Sequence, residues 1–575
     1  MNERNTHKGT VPCHTWRMTR AQEEDLYYKR PAVPGRRPAI VMPESLLVSK
    51  APAEPAAAPV PQAAPVAAEP VPSIFDLRME QYGDELARLY REQFHGDLSA
   101  WDRLTTLLRQ SWENRREELR AQDQRRTADA GWYCRRDLLA MAVDAAGFAG
   151  SLAGVADRLP YLKECGVNFL RLNGNGSQEE LAALADACRA QEILLALSLK
   201  ADAPQDAAAF HAWIEQLLCL AGLGADAIRL GDLSRLPHSV LRMARLICQL
   251  VCPGVLLMGK APAYGEAPYF GSEDKPECHL LCRNNGALLW NTLATGDVSL
   301  LRHEVEGSLS SAGLFLNRLH GDSGLDWALD YDWLKEHCGT DENAHRQYLN
   351  DWATGKFPGS NSRGELCREG KVCGTTASLC GVEAADYEQD SVKLEQAVAC
   401  DLLLHAFLLT QSGMPLLTCG DEVGQLNDYS YHEDAARADD ARNLQHGPFQ
   451  WELAAMRDNQ ETRQGKQFQG LRRLEQLRGA EPAFDARANV WTFDTGNPHV
   501  LGLGRWYEGR KLVALFNFSG DFVTAGAPEG GAFDELIYGG HYDEIGHVEL
   551  YPYGFVWLLQ QEALSQNLRL SRRLE

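Results

Sequence analysis

The residues of this 575-residue chain that could do chemistry fall in a few short segments. Asp421-Glu422 in GDEVG set two carboxylates side by side, the side-chain type used for general acid and base work. Asp232 and Asp322 each follow an apolar, strand-like run, where a carboxylate could be presented at a strand end. Asp439-Asp440 in ARADDAR suggest calcium, but that ion takes roughly six to eight oxygens and only two adjacent acids are present, so a solvated loop is expected. The close pairs Cys248/Cys252 and Cys278/Cys282, the latter enclosing His279, raise a zinc site. The usual C-x2-C spacing is absent and the first pair lies in LICQLVCPGVLL, so both read as small buried hydrophobes. Trp491, Trp506, Tyr507 and Trp557 could stack on sugar rings, yet their alternating positions read as sandwich core. No metal and no cofactor is expected.

The elements that must carry these residues follow from periodicity. Residues 1–50 are polar and irregular, a disordered or docking tail, and 51–73 are a Pro/Ala-rich linker whose proline rings exclude regular packing. Over 74–130, DELARLYREQF and LTTLLRQSWENRREELRAQ place apolar residues at i, i+3, i+4 and i+7, which predicts a small helical domain. From Trp132 short apolar strands alternate with amphipathic helices. Strands are expected over 138–143, 167–172, 193–199, 227–230 and 255–258, with helices over 152–165, 178–189, 207–223 and 236–251 between them. Further apolar segments at 314–319, 400–409 and 416–419 extend the series. Such alternation demands parallel strands joined by right-handed crossovers, and its length favours an eightfold (β/α)8 barrel over 131–480. After that, VWTFDT, HVLGLGRWY and KLVALFNFS alternate as antiparallel strands, which predicts a β-sandwich over 481–565.

Composition limits the function. The net charge of −22 argues against nucleic acid as a partner, because phosphate neutralisation needs clustered cations. No apolar run approaches the roughly 20 residues of a membrane span, and no apolar stretch backs the basic N-terminus as in a signal peptide. The 15 cysteines are scattered without a compact framework, as suits free thiols in a cytoplasmic protein.

Several long segments, in order, resemble the amylosucrase branch of the α-amylase family, glycoside hydrolase family 13. They are LAGVADRLPYLKECGVNFLRL, LLWNTLATGDVSLL, CGTTASLCG and MPLLTCGDEVGQLND, the last continuing past Arg442 into QFQGLRRLEQLR. The resemblance spans roughly residues 74–560 and implies retaining chemistry on sucrose or α-glucans. That chemistry needs a carboxylate nucleophile, a carboxylic acid about 5–5.5 Å away, and in this family a third carboxylate on the sugar ring. The resemblance places the nucleophile at Gly231, two residues after Arg229. It places the general acid at Lys260 and the third carboxylate at Ser323. An Asn-His pair of the family falls on Lys200-Ala201, and the long loops after the second and third strands are missing. Arg229 and Arg442 match substrate-side arginines and read as vestigial. Asp421-Glu422 take a structural role.

Asp232 and Asp322 each lie one residue from a lost carboxylate. A one-residue step reverses a strand's side chains, so either would need a bulge to serve. The general acid has no such neighbour, since the next acid after Lys260 is Glu266. The sequence therefore implies an inactive member of the family that works by binding a protein or an α-glucan. The alternatives are a redirected glucosyltransferase or hydrolase using Asp232 and Asp322, and a structural subunit that forms homo-oligomers through its helical domain.

Overall fold

The computed structural model describes residues 73–560, apart from 96–97, 200–201, 263–265, 273, 309–312, 529–530 and 544. The tail, most of the linker, the Lys200-Ala201 position and the segment after 560 lie outside the described residues.

Three helices open the described chain: α1 (Ile74–Phe94), α2 (Leu98–Glu113) and α3 (Glu117–Ala128). Ser73 caps α1 through a reciprocal bond with Asp76, which satisfies donors that a helix N-terminus otherwise leaves free. The helices are tied to the barrel by ion pairs. Arg242 grips Glu85 in α1, and Arg126 of α3 bonds Asp226 at 2.6 Å. Asp226 also accepts from the Leu195 N–H, so it works at the N-terminal end of the strands, away from their C-terminal ends.

Eight parallel strands close into a barrel: β1 (Ala140–Asp144), β2 (Phe169–Asn173), β3 (Leu194–Ser198), β4 (Ala227–Asp232), β5 (Leu256–Lys260), β6 (Leu280–Asn284), β7 (Leu314–Arg318) and β8 (Met414–Thr418). Neighbours in the barrel are neighbours in the chain, and β8 pairs with both β7 and β1. Alternate residues point inward. Ala140, Phe169, Ala196, Ala227, Leu256, Met258, Leu280, Leu314, Leu316 and Leu416 fill the interior as one apolar cluster, so the barrel is a packed core and not a pore.

The eightfold barrel agrees with the sequence, and two local details differ, while a third segment gains its type. The helix expected over 152–165 is two short helices meeting at Arg158, because Pro160 has no N–H with which to continue the first. Strand β6 was not anticipated: its run of apolar residues is short and ends in Arg283-Asn284. Residues 400–409 belong to the long helix Ser391–Thr410, whose apolar residues are buried on nearly every side and carry little period.

The last part of the chain is antiparallel. Strands β9 (Asn489–Phe493), β10 (Val500–Tyr507), β11 (Arg510–Asn517), β12 (Val523–Gly526), β13 (Phe533–Glu535), β14 (Gly540–Tyr542), β15 (His547–Leu550) and β16 (Phe555–Gln560) form two sheets. One has the order β9-β10-β11-β16-β13-β14 and the other is the pair β12-β15. Val500, Leu515, Val523, Ala525 and Leu550 pack between them. Trp557 is fully buried and donates to Thr410 Oγ1 at 2.9 Å, while Trp491, Trp506 and Tyr507 are half-buried.

Candidate functional site at the barrel mouth

In a barrel of this kind the chemistry sits at the C-terminal ends of the strands, where loops can be varied without disturbing the core. Side-chain alternation carries Arg171, Arg229, Lys260 and Arg318 to inward positions there. Each shares its strand's parity with the interior residues Phe169, Ala227, Met258 and Leu316. Arg171 and Arg318 were not singled out from the sequence. Their signal was a charged residue inside the apolar runs FLRLN and LFLNR, at a position of inward parity.

These arginines converge on Asp322, in the turn after β7. Arg171 Nη2 donates to Asp322 Oδ2 and Arg318 Nη2 to Oδ1, each at 2.8 Å, and Arg229 Nη2 lies 4.0 Å from Oδ2. The Arg171 side chain is 1 % exposed and that of Asp322 39 %. Burial opposes ionisation of Asp322, but Arg318 and Arg171 outweigh it and hold the carboxyl well below the usual carboxylate range. Burial, followed by the like charge of Arg171, pulls the Arg229 guanidinium below its ordinary value.

Gly231 stands at a shift of register between β4 and β5, with φ of 82°. A Cβ added there would meet nothing within 4 Å, so the position has room for a side chain but a backbone that suits glycine. Beyond the irregularity Asp232 pairs in register with Lys260, so the bulge gives it the parity of that inward position, and it is exposed at the strand end. There it caps the next turn, accepting from Ser234 N at 3.1 Å and Ser234 Oγ at 2.7 Å. Lys260, in register with Asp232, is exposed at the end of β5. Glu266 is held by Arg283, with Nη2 at 2.7 Å from its Oε2. Ser323 is half-buried in the turn that carries Asp322. That turn is stapled to the Arg442 segment: Gln445 donates to the Gly321 carbonyl, and His446 lies 2.8 Å from the Asp322 carbonyl. Arg442 itself is exposed and pairs with Asp440 at 2.7 Å, while Asp439 pairs with Arg368. The mouth therefore gathers Arg171, Arg229 and Arg318 around Asp322, whereas Asp232, Glu266 and Arg442 each have a partner elsewhere.

Asp421 and Glu422 are buried beneath the end of β8. Glu422 Oε1 accepts from the Tyr161 hydroxyl at 2.9 Å and Oε2 from the Gly420 N–H at 2.8 Å. Burial pushes the Glu422 carboxyl up to about 7. Its folded-state value thus exceeds its unfolded one, and the stability it contributes is fully present below pH 4.5 and lost as pH rises through about 7. Glu422→Gln keeps an acceptor for Gly420 and places a donor on the Tyr161 oxygen. This variant should flatten the fall in stability between pH 5 and 8 by on the order of 3 kcal/mol, read by urea unfolding across that range. An unchanged pH profile would show that the carboxyl is ionised throughout.

Among the described residues no His, Cys, Asp and Glu cluster has metal-binding geometry, and the described cysteines are free thiols. Cys248 and Cys252 are buried together, and Cys278 is buried while Cys282 lines the barrel interior. His279 accepts from the Leu257 N–H at 2.8 Å, and burial holds it neutral. Among the described residues no helix is long and apolar enough to cross a membrane.

No family model matches the chain. Solved structures share its fold. AmyP in complex with maltose is 13% identical with a TM-score of 0.50, covering 74% of this chain and 96% of its own. Trehalulose synthase MutB from Pseudomonas mesoacidophila MX-45 is 12% identical at 0.50, covering 74% and 99%. Cyclic α-maltosyl-(1→6)-maltose hydrolase from Arthrobacter globiformis, ligand-free, is 15% identical at 0.50, covering 75% and 100%. Identities this low establish a common fold and leave the chemistry to the site.

Proposed function

We propose that this chain is an α-amylase-family protein, nearest in layout to the amylosucrase branch, whose barrel no longer cleaves glycosidic bonds and works by binding a protein or an α-glucan. One observation carries the reading: retaining chemistry needs two ionisable carboxyls about 5–5.5 Å apart, whereas the mouth sets Arg171, Arg229 and Arg318 around Asp322. The carboxylate among those arginines, Asp322, is bonded to Arg171 and Arg318, and a carboxyl held that far down is a poor proton donor at neutral pH. Gly231 offers no nucleophile, and Lys260 stands where the acid would be.

The register shift at Gly231 favours a second reading, in which Asp232 is swung toward a substrate. Its bonds from the Ser234 N–H and hydroxyl, which occupy one carboxylate oxygen as a turn cap, weigh against that. Incubation with sucrose and with α-glucosyl fluoride separates the two, since fluoride leaves with little acid assistance. The expected rate is that of the buffer. Turnover that Asp232→Asn abolishes would overturn the binding reading. Calorimetric titration with maltooligosaccharides then divides the partners: saturable heat supports the glucan, and none leaves the protein partner.

A further inference from the structure

We infer that the barrel mouth is an anion site that takes a phosphate-class oxyanion, free or carried on a sugar. The inference rests on the mouth being a place of binding, and it follows from charge and donor counts. Three guanidinium groups, on Arg171, Arg229 and Arg318, face the carboxylate of Asp322. Two of them are nearly withdrawn from water: the Arg171 side chain is 1 % exposed and that of Arg318 9 %.

Their hydrogen bonds do not close. Arg171 Nε and Nη1 and Arg229 Nε are buried without a protein acceptor. A buried donor on a charged group that lacks an acceptor costs free energy comparable to the bond it forgoes. A tetrahedral oxyanion offers several acceptor oxygens and two negative charges in a small volume. Guanidinium groups match it bidentately and with opposite charge, and a neutral sugar brings no charge.

Access is by the open side of the cluster. Arg229 is 25 % exposed and Asp322 39 %, and an added Cβ at Gly231 would meet open space. Arg229, whose Nη2 is 4.0 Å from Asp322, is the guanidinium least engaged by that carboxylate and the one nearest solvent. Asp322 competes with the ligand: it holds Arg171 and Arg318 in place but repels an incoming anion.

Two variants then give opposite signs. Titration of the full chain with inorganic phosphate at fixed ionic strength, followed by calorimetry and thermal unfolding, should show saturable binding and a rise in Tm. Arg229→Gln should weaken the phosphate Kd at least tenfold. Asp322→Asn should tighten it and enlarge the rise in Tm. Glucose 1-phosphate and glucose run as parallel arms. Tighter binding of the sugar phosphate assigns the oxyanion to a sugar, equal binding assigns free phosphate, and glucose alone should not bind at the same concentration. Absence of saturable phosphate binding, or a Kd unchanged by Arg229→Gln, overturns the anion site. Turnover of α-glucosyl fluoride by the same preparation would instead overturn the binding reading, so the two failures are distinguishable.

Discussion

His405→Leu should destabilise the protein by roughly 3–5 kcal/mol at pH 7, and the deficit should shrink as pH falls. His405 is fully buried in the helix Ser391–Thr410, with Nδ1 2.8 Å from Asp401 Oδ1 and Nε2 3.7 Å from Asp421 Oδ2. Burial opposes its charge, yet the two carboxylates raise its titration well above the ordinary histidine value. Its contribution to stability is therefore complete below about pH 6.5 and lost only as pH climbs through the raised value.

The leucine variant leaves both carboxylates in the core without a cation. Asp401 keeps Gln467 at 2.7 Å, and Asp421 keeps the Thr376 hydroxyl and the Thr418 N–H, but these dipoles do not neutralise two charges. Both acids then titrate upward, so acidification protonates them and recovers stability in the variant, opposite in direction to the wild-type contribution of Asp421. Urea unfolding of wild type and variant at pH 7 and pH 5 measures this. A deficit that is constant or grows toward pH 5 would mean that the pair is not carried by a histidinium.

Asp322→Ala should cost about 3 kcal/mol, less than breaking a fully buried pair because the carboxylate is 39 % exposed and partly screened. The loss comes from leaving Arg171 and Arg318 without their acceptor and beside Arg229, so that like charges repel across the mouth. Phosphate in the buffer should restore most of it, because an oxyanion replaces the missing negative charge. Thermal unfolding with and without phosphate checks both parts. A variant as stable as wild type in phosphate-free buffer would show that the three arginines are spaced and hydrated well enough to need no counter-ion.

How much of this was readable from residues alone depends on the range of the interactions. The alternation of short apolar strands with amphipathic helices was local, so the strand expected over 227–230 and the helix over 236–251 fall on Ala227–Asp232 and His238–Val251. Strand β6 was missed because three apolar residues before Arg283 do not declare a strand until β5 and β7 supply its hydrogen-bond partners. In the mouth, Gly231, Lys260 and Ser323 could be located by resemblance. Arg171 could not, since nothing in FLRLN says what faces that guanidinium across the barrel.

The sequence by itself determined the barrel with its flanking helical and antiparallel parts, because the periods of 3.6 and 2 and the turn residues are written in neighbouring positions. Gly231 and Lys260 stand where the resemblance expects carboxylates, and neither residue carries one. Only the tertiary structure decided what surrounds them. Asp322 and Arg171 are 151 residues apart, and closure of the barrel brings them to 2.8 Å. The same closure strands Arg171 and Arg229 donors without acceptors, and the irregularity at Gly231 brings Asp232 into register with Lys260, where it caps the next turn. Those outcomes depend on register and parity summed around eight strands, which no single stretch of residues contains.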